Sequence, residues 1–386
     1  MWRLNEIACC AFLSLMVAAC GSVPSRSQRK SSAAGRFIVE DGTIDGHGGS
    51  IPTKQLVDTV SQQSVWVLPT QGGRVEAVRL MSPNSHRVRD VILTHNGDPA
   101  AIKENALFKG AILLPFANRI ANGTYTFMGR THRLHINEPS RGNAIHGLLY
   151  NKELSVVYSA GGDQYAIVTL EYKFDGTDPG YPFPLSVLLT YILTENSFVL
   201  NIRATNEDDA RPLPFYMGWH PYIKVTKTAD AVVEFQQCSN YSHVLTDPES
   251  LIPTGETEPT KLFTNGHTIG GSTSAPTYID DGFAILAAFD SKSNCTATTT
   301  TIYDTVAKEA VFLFQDREFR FVQAFTGSAS ISGEQAVAIE PMSAETDAYN
   351  NFIGLTILNA KQKWSSSFGI TLGNPEHALR YPVPFP

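Results

Sequence analysis

Charge is scarce in this chain. Asp, Glu, Lys and Arg make up 17% of the 386 residues, against roughly 25% in an average soluble domain. With 42% apolar residues beside it, that share excludes a disordered, self-solvating chain and a coiled coil. Positive charge is the scarcer sign. The net charge of −7 supplies no basic field for nucleic acid phosphate. Cysteine is rarer still, at five residues, which excludes a disulfide-stapled scaffold. No zinc-type cysteine spacing, P-loop, dinucleotide fingerprint or G-x-S-x-G elbow occurs. Amphipathic helical periodicity is almost missing. What the chain does have is turn formers, 29 Gly and 22 Pro, and enough apolar residues for a sizeable core.

The N-terminus stands apart. After Arg3 and Glu6, an apolar run extends from Ile7 to Ala19. It is shorter than the about 20 residues a membrane span needs and has the size of a signal-peptide core. It ends in Val17-Ala18-Ala19-Cys20-Gly21. That run resembles the lipobox of bacterial lipoproteins, which implies acylation of Cys20; the alternative is an ordinary secretory cut near Ala19. The expectation is an exported protein, periplasmic or anchored in the outer membrane by lipid, or secreted if the source is eukaryotic. Gly21 to Ser50 is rich in Ser and Gly, with Arg26, Arg29 and Lys30. It reads as a flexible tether. The expected organisation is a signal over 1–19, a tether over 20–58 and a single domain over 59–386. Of the cysteines, Cys238 and Cys295 remain in the body, as one disulfide or as two inert thiols.

From about Ser61 the patterning has period two. Along Tyr165 to Phe174, the residues Ala166, Val168, Leu170, Tyr172 and Phe174 share one face of a strand. Ser155 to Ala160 precedes it across the turn Gly161-Gly162-Asp163. Leu185–Leu193 and Phe198–Thr205 form a second pair. Phe319, Phe321, Gln323 and Phe325 alternate with Arg320, Val322 and Ala324. The Thr-rich stretch 291–301 suits an exposed strand or hairpin insertion, and a single helical turn is predicted over 346–351. Such closely spaced strands predict an all-β fold, a large sandwich of antiparallel sheets with few short helices.

Four segments set polar residues among apolar ones. In Leu114-Pro115-Phe116-Ala117-Asn118-Arg119-Ile120, Arg119 needs either a structural carboxylate partner or a substrate for its donor fork. In Asn143-Ala144-Ile145-His146-Gly147, Gly147 permits close backbone approach. His146 is a core histidine or a site residue. In Gly218-Trp219-His220-Pro221-Tyr222, His220 lies between aromatics that suit the flat face of a sugar or a packed cluster. In Val337-Ala338-Ile339-Glu340-Pro341, Glu340 closes an apolar run, and burial raises a carboxyl towards the range of a general base. A weaker candidate is the acidic doublet Asp280-Asp281 before Gly282-Phe283, which also reads as a plain turn. His146 and His220 lack the close-spaced partners of a metal helix, and no metal or other cofactor is expected.

In this order and at these spacings, the segments resemble the aldose 1-epimerase, or galactose mutarotase, family. The resemblance covers residues 60 to 380. It implies a mutarotase-type supersandwich, active without cofactor, that interconverts the α and β anomers of a free aldose. It implies Glu340 as base, His220 as acid and His146 as a second active-site histidine. Arg119 and Asp280, with Asp281 as rival, would bind sugar hydroxyls, with Asn118 beside them and Trp219 as an apolar wall. The Gly180-Tyr181-Pro182-Phe183 loop departs from the family's Gly-Tyr-Pro-Gly and bears on the preferred sugar. Two alternatives stand beside this reading. One is a hexose-6-phosphate epimerase using Arg119, Arg130, Arg133 and Arg141; the other is a non-catalytic carbohydrate-binding surface protein. A monomer or weak dimer is expected, with no partner beyond the sugar and a possible lipid anchor.

Overall fold

The structure is a computed structural model. It describes residues 35–235, 240–263, 266–286, 297–327 and 333–374. The signal, the Cys20 site and both Cys238 and Cys295 lie outside the described residues.

Antiparallel strands dominate, and the described helices are short. A five-stranded sheet runs Phe37–Gly46, Gly49–Asp58, Ser64–Leu68, Arg74–Met81, Val88–Asp90. An eight-stranded sheet has the order Ser155–Ala160, Tyr165–Asp175, Pro184–Thr194, Ser197–Asn206, Lys363–Gly373, Glu309–Asp316, Ala297–Asp304, Val232–Phe235. A second eight-stranded sheet is built around Asp280–Leu286, Phe321–Phe325 and Ala336–Met342, with Gly218–Trp219 and Tyr222–Lys224 on its far side. The predicted alternation is carried by the strand Tyr165–Asp175, where Ala166, Val168 and Leu170 are fully buried and Tyr172 packs at the margin. The predicted helical turn is Ala348–Asn351.

Two expectations are corrected. Residues 37–58, expected within the tether, form a hairpin in perfect register from Phe37↔Asp58 to Gly46↔Gly49. Ile44 and Ile51 bury against Leu68 and Ile102, and Leu56 enters the main core. The Gly-rich composition that suggested a tether is the turn Gly46-His47-Gly48-Gly49, a hairpin signal between two strands. Of the Thr-rich stretch, residues 291–296 lie outside the described residues; from Ala297 on it is a strand, as expected, but a buried one. Thr298, Thr299 and Thr300 are buried in a strand flanked by Val232–Phe235 and Glu309–Asp316. Side chains on both faces of that strand are covered, and β-branched Thr fits such a position.

Candidate active site

The candidate residues converge from distant parts of the chain onto one cavity of about 230 Å³. Its walls have different origins. One is the second eight-stranded sheet. There Gln323 pairs with Glu340 across neighbouring strands, and Gly282 pairs with Gln323 on the next. Alternation along Ala336–Met342 sends Val337 and Ile339 into the main core. It leaves Ala336, Ala338 and Glu340 on the opposite face. The small Ala side chains pack under Tyr222 and Leu107, so Glu340 is the polar group of that face.

The other wall is a short ribbon. Arg119–Ile120 pairs with Ala144–Ile145, with Arg119 opposite Ile145. The His146 N–H donates to the Asn118 carbonyl at 3.0 Å. Asn118 and His146 both have positive φ, 54° and 65°. Such backbone is uncommon for residues with a side chain and collects at functional sites. Gly147 follows at φ 76°. A Cβ there would drive into the Leu114 backbone, so this position requires glycine.

At the cavity floor, His220 Nε2 lies 3.3 Å from Glu340 Oε1. The His146 ring meets His220 edge-on at 5.1 Å and Phe108 at 4.6 Å, while Tyr222 stacks on His220 at 4.9 Å. His220 Nδ1, His146 Nδ1 and Glu340 Oε2 are buried without hydrogen-bond partners. Burial favours the uncharged form of each group. It pushes the His220 imidazole down to about 3, with Arg119 adding to the effect. It also drives His146 well below its usual range, helped by His220 and Arg119. Burial, then Asp280, lifts the Glu340 carboxyl well above its usual range, against the pull of Arg119. Burial thus works in opposite directions on the pair, favouring the neutral imidazole of His220 and the protonated carboxyl of Glu340.

Arg119 is committed to protein partners. Its Nε donates to both oxygens of Glu138 at 3.2 and 3.1 Å, and Nη2 donates to Glu138 at 3.0 Å. Nη2 also reaches Asp280 at 3.5 Å, and Nη1 reaches the Asn118 side chain at 3.2 Å. Burial alone would lower the guanidinium; Asp280 and Glu138 more than offset it. Asp280 accepts a 2.8 Å bond from Gln323 and faces the cavity. Asp281 points away, to His243 at 2.9 Å. That separates the doublet.

Trp219 is a correction. It is fully buried, stacked on Phe368 at 5.1 Å, with its N–H on the Gly110 carbonyl. Neighbours on a strand point to opposite faces, so a His220 that faces the cavity turns Trp219 into the core. The apolar lining comes instead from Phe108, Tyr222 and Phe325. The Gly180–Phe183 loop is also absent from the lining. Tyr181 and Phe183 are core residues, and Tyr181 bonds the Pro214 carbonyl. Glu138, Gln323 and Phe108 went unrecognised in the sequence. Gln323 carried a signal, as the polar residue on the Phe321/Phe325 face.

Among the described residues, His146, His220 and Glu340 form the one group whose donor atoms could hold a metal ion, lying within 4.8 Å of one another. Tetrahedral Zn–N bonds of about 2.0–2.1 Å would need donors roughly 3.3 Å apart, so the group is looser than a closed structural site.

The fold is an antiparallel β-sandwich with a buried His–Glu pair in its cavity, and comparison with known proteins gives its family. The family model for aldose 1-epimerase matches residues 56–371. The chain belongs to the aldose 1-epimerase family. It is 28% identical over 262 residues to the uncharacterized protein YihR of Escherichia coli (strain K12), covering 68% of this chain and 78% of that protein. It is 27% identical to human galactose mutarotase, over 50% of this chain and 60% of that enzyme. The chain thus spans less than two thirds of that relative. Among solved structures, a galactose mutarotase-like protein from Clostridium acetobutylicum superposes with TM-score 0.67 at 17% identity, covering 88% of this chain and 99% of that one. Galactose 1-epimerase from Lactobacillus acidophilus gives 0.66 at 15% identity, over 86% and 98%. These structural likenesses bear on the fold.

Proposed function

We propose that this protein is an aldose 1-epimerase, which interconverts the α and β anomers of a free aldose by opening and reclosing its ring. The observation that carries the proposal is the 3.3 Å His220–Glu340 pair on the floor of a cavity lined with hydroxyl-binding groups. Opening a cyclic hemiacetal removes the anomeric hydroxyl proton and adds a proton to the ring oxygen. Glu340 is the base and His220 the acid in that direction. Rotation about C1–C2 and reclosure with the roles reversed yield the other anomer.

The pair's opposed shifts fit one shared proton. Burial favours its placement on Glu340. An anomeric hydroxyl that donates to the unpartnered Glu340 Oε2 supplies the hydrogen bond that favours the carboxylate. The proton then belongs on His220, next to the ring oxygen. Either placement leaves one acid and one base, as a reaction run in both directions requires. His146 stands beside His220 to stabilise charge developing at the ring oxygen. Asn118, Arg119 and Asp280 position the remaining hydroxyls.

The charge of the lining favours a free sugar over a sugar phosphate. Arg119 is the one Lys or Arg among the lining residues. Arg130 and Arg133 project to solvent from a separate hairpin, and Arg141 is directed to Glu138 and the Glu249 carbonyl. Polarimetry of freshly dissolved α-D-glucose, α-D-galactose and a panel of pentoses tests the reading. Relaxation faster than the spontaneous rate is expected for at least one. Binding without acceleration across the panel would replace the enzyme by a carbohydrate-binding protein.

Export with acylation at Cys20 is part of the same proposal and is supported by the N-terminal pattern. An enzyme outside the cell would receive the single anomer that glycoside hydrolysis releases. Cys20→Ser should move the protein from membrane to soluble fractions; an unchanged distribution would remove the anchor.

A further inference from the structure

Glu138 belongs to none of the groups that the reaction needs, yet it occupies the cavity wall and the guanidinium of Arg119. We infer that Glu138 is a positioning and charge-selecting residue, which keeps Arg119 from acting as an anion receptor and restricts the site to sugars without a negative charge. The inference rests on the aldose epimerase reading and names its substrate class.

The hydrogen-bond inventory carries the argument. A guanidinium has five N–H donors in a planar fork, and it binds carboxylates and phosphates by two parallel bonds. On Arg119, the edge formed by Nε and Nη2 is closed by Glu138, through contacts of 3.0 to 3.2 Å. Nη2 leans on Asp280 as well, and Nη1 is engaged by Asn118. No bidentate edge is left for a substrate anion, although Nη1 keeps a donor for a neutral hydroxyl. Glu138 is itself fixed. Its carboxylate accepts from Asn143 Nδ2 at 2.9 Å, and its backbone forms a two-way bridge with Asn143 around the tight loop 138–143. The charges of the lining point the same way, because the carboxylates of Glu138 and Asp280 outnumber the one cation, Arg119, that they face. A uronate carboxylate or sugar phosphate entering here meets like charge in a partly desolvated space, where repulsion is strong. A neutral aldose donates hydroxyls to those carboxylates.

The test compares D-galactose with D-galacturonate on the full-length protein, reading kcat and KM by polarimetry and affinity by calorimetry. The wild type should prefer the neutral sugar by at least about tenfold in kcat/KM. Glu138→Gln should shrink that preference by about tenfold, by lowering KM for the uronate and raising it for galactose as Arg119 loses its anchor. Glu138→Asp, which keeps the charge, should retain most of the preference. A thermal melt identifies variants that fail to fold, and the wild-type preference is read independently of them. A wild-type preference near one would overturn the inference. So would a Glu138→Gln variant that loses activity on both sugars in equal proportion, since that marks a purely structural residue. Calorimetric selectivity without any acceleration would instead sink the enzyme reading and leave the role of Glu138 standing.

Discussion

Replacing Glu340 by Gln separates chemistry from folding. The side chains match in shape, so the cavity and the neighbouring Ala336 and Ala338 keep their packing. Losing a positioned base costs roughly 10² to 10⁴-fold in rate. The stability effect has the opposite sign. Burial first, and then Asp280, raise the Glu340 carboxyl in the folded chain well above its unfolded value of 4.5. From that value up to the raised one, the folded chain holds a proton that the unfolded chain has released. Stability therefore falls as pH rises through this window, by about 1.4 kcal/mol for each unit of elevation. Gln has no proton to lose. Its melting temperature should hold as pH rises above the unfolded value of 4.5, where that of the wild type declines, at roughly 2–4 °C per kcal/mol. Polarimetry of α-D-galactose and thermal melts across that range read the two effects on the same samples. A variant that relaxes the sugar as fast as wild type refutes Glu340 as the base. A variant whose melting temperature falls with pH in parallel with wild type refutes the buried, proton-holding carboxyl.

Three further outcomes follow from the same geometry. His220→Asn should lose most activity and gain stability in acid. The folded imidazole is pushed to about 3 against 6.5 unfolded, so the wild type loses stability as pH falls through that interval and the variant does not; melts from neutral to mildly acidic pH check it. Gly147→Ala should destabilise by about 1–3 kcal/mol, through positive φ and contact with the Leu114 backbone. It should also lower kcat by displacing His146, and denaturant melts and polarimetry would show both. Asp280→Asn should raise KM about tenfold, whereas Asp281→Asn, which touches His243 outside the cavity, should stay near wild type; equal effects would mean that the doublet had been split wrongly.

Much of this architecture was legible because strands declare themselves by alternation. The runs from Ser155, Tyr165, Leu185 and Phe198 became neighbouring strands of one sheet. The same rule, carried through, would have corrected the site. If His220 faces a cavity, Trp219 cannot, and Gln323 between Phe321 and Phe325 is as anomalous as Glu340 after Ile339. Glu138 was harder to find. It sits in a loop before Pro139, where no period exists, and the one hint was that a buried Arg119 requires a carboxylate somewhere. The hairpin over 37–58 is hidden in composition because Gly46, Gly48, Gly49 and Ser50 cluster at its turn and join the Ser-rich segment before it. Its stability comes from the register and from pairing with Ser64–Leu68, not from local composition.

The two walls of the cavity are rigid for different physical reasons, and that divides their functions. Glu340, Gln323 and Asp280 stand on adjacent strands whose ladder fixes their spacing, so Glu340 inherits the stiffness of a sheet, and His220 directly follows the Gly218–Trp219 strand of the same sheet. Arg119 and His146 stand on a ribbon with a two-residue pairing on each side. That ribbon is held by left-handed backbone at Asn118 and His146, and by Asp347. Asp347 itself has φ 63°, donates its N–H to the Arg119 carbonyl and accepts from the Ala121 N–H. The ribbon is not part of the sheet's ladder, so a local shift there moves the charged clamp without disturbing the sheet. Substitutions along the ribbon should therefore act first on KM and on the choice of sugar, and substitutions on the sheet wall on kcat. Gly147→Ala is the informative exception, because His146 belongs to the ribbon by its backbone and to the acid–base group by its ring.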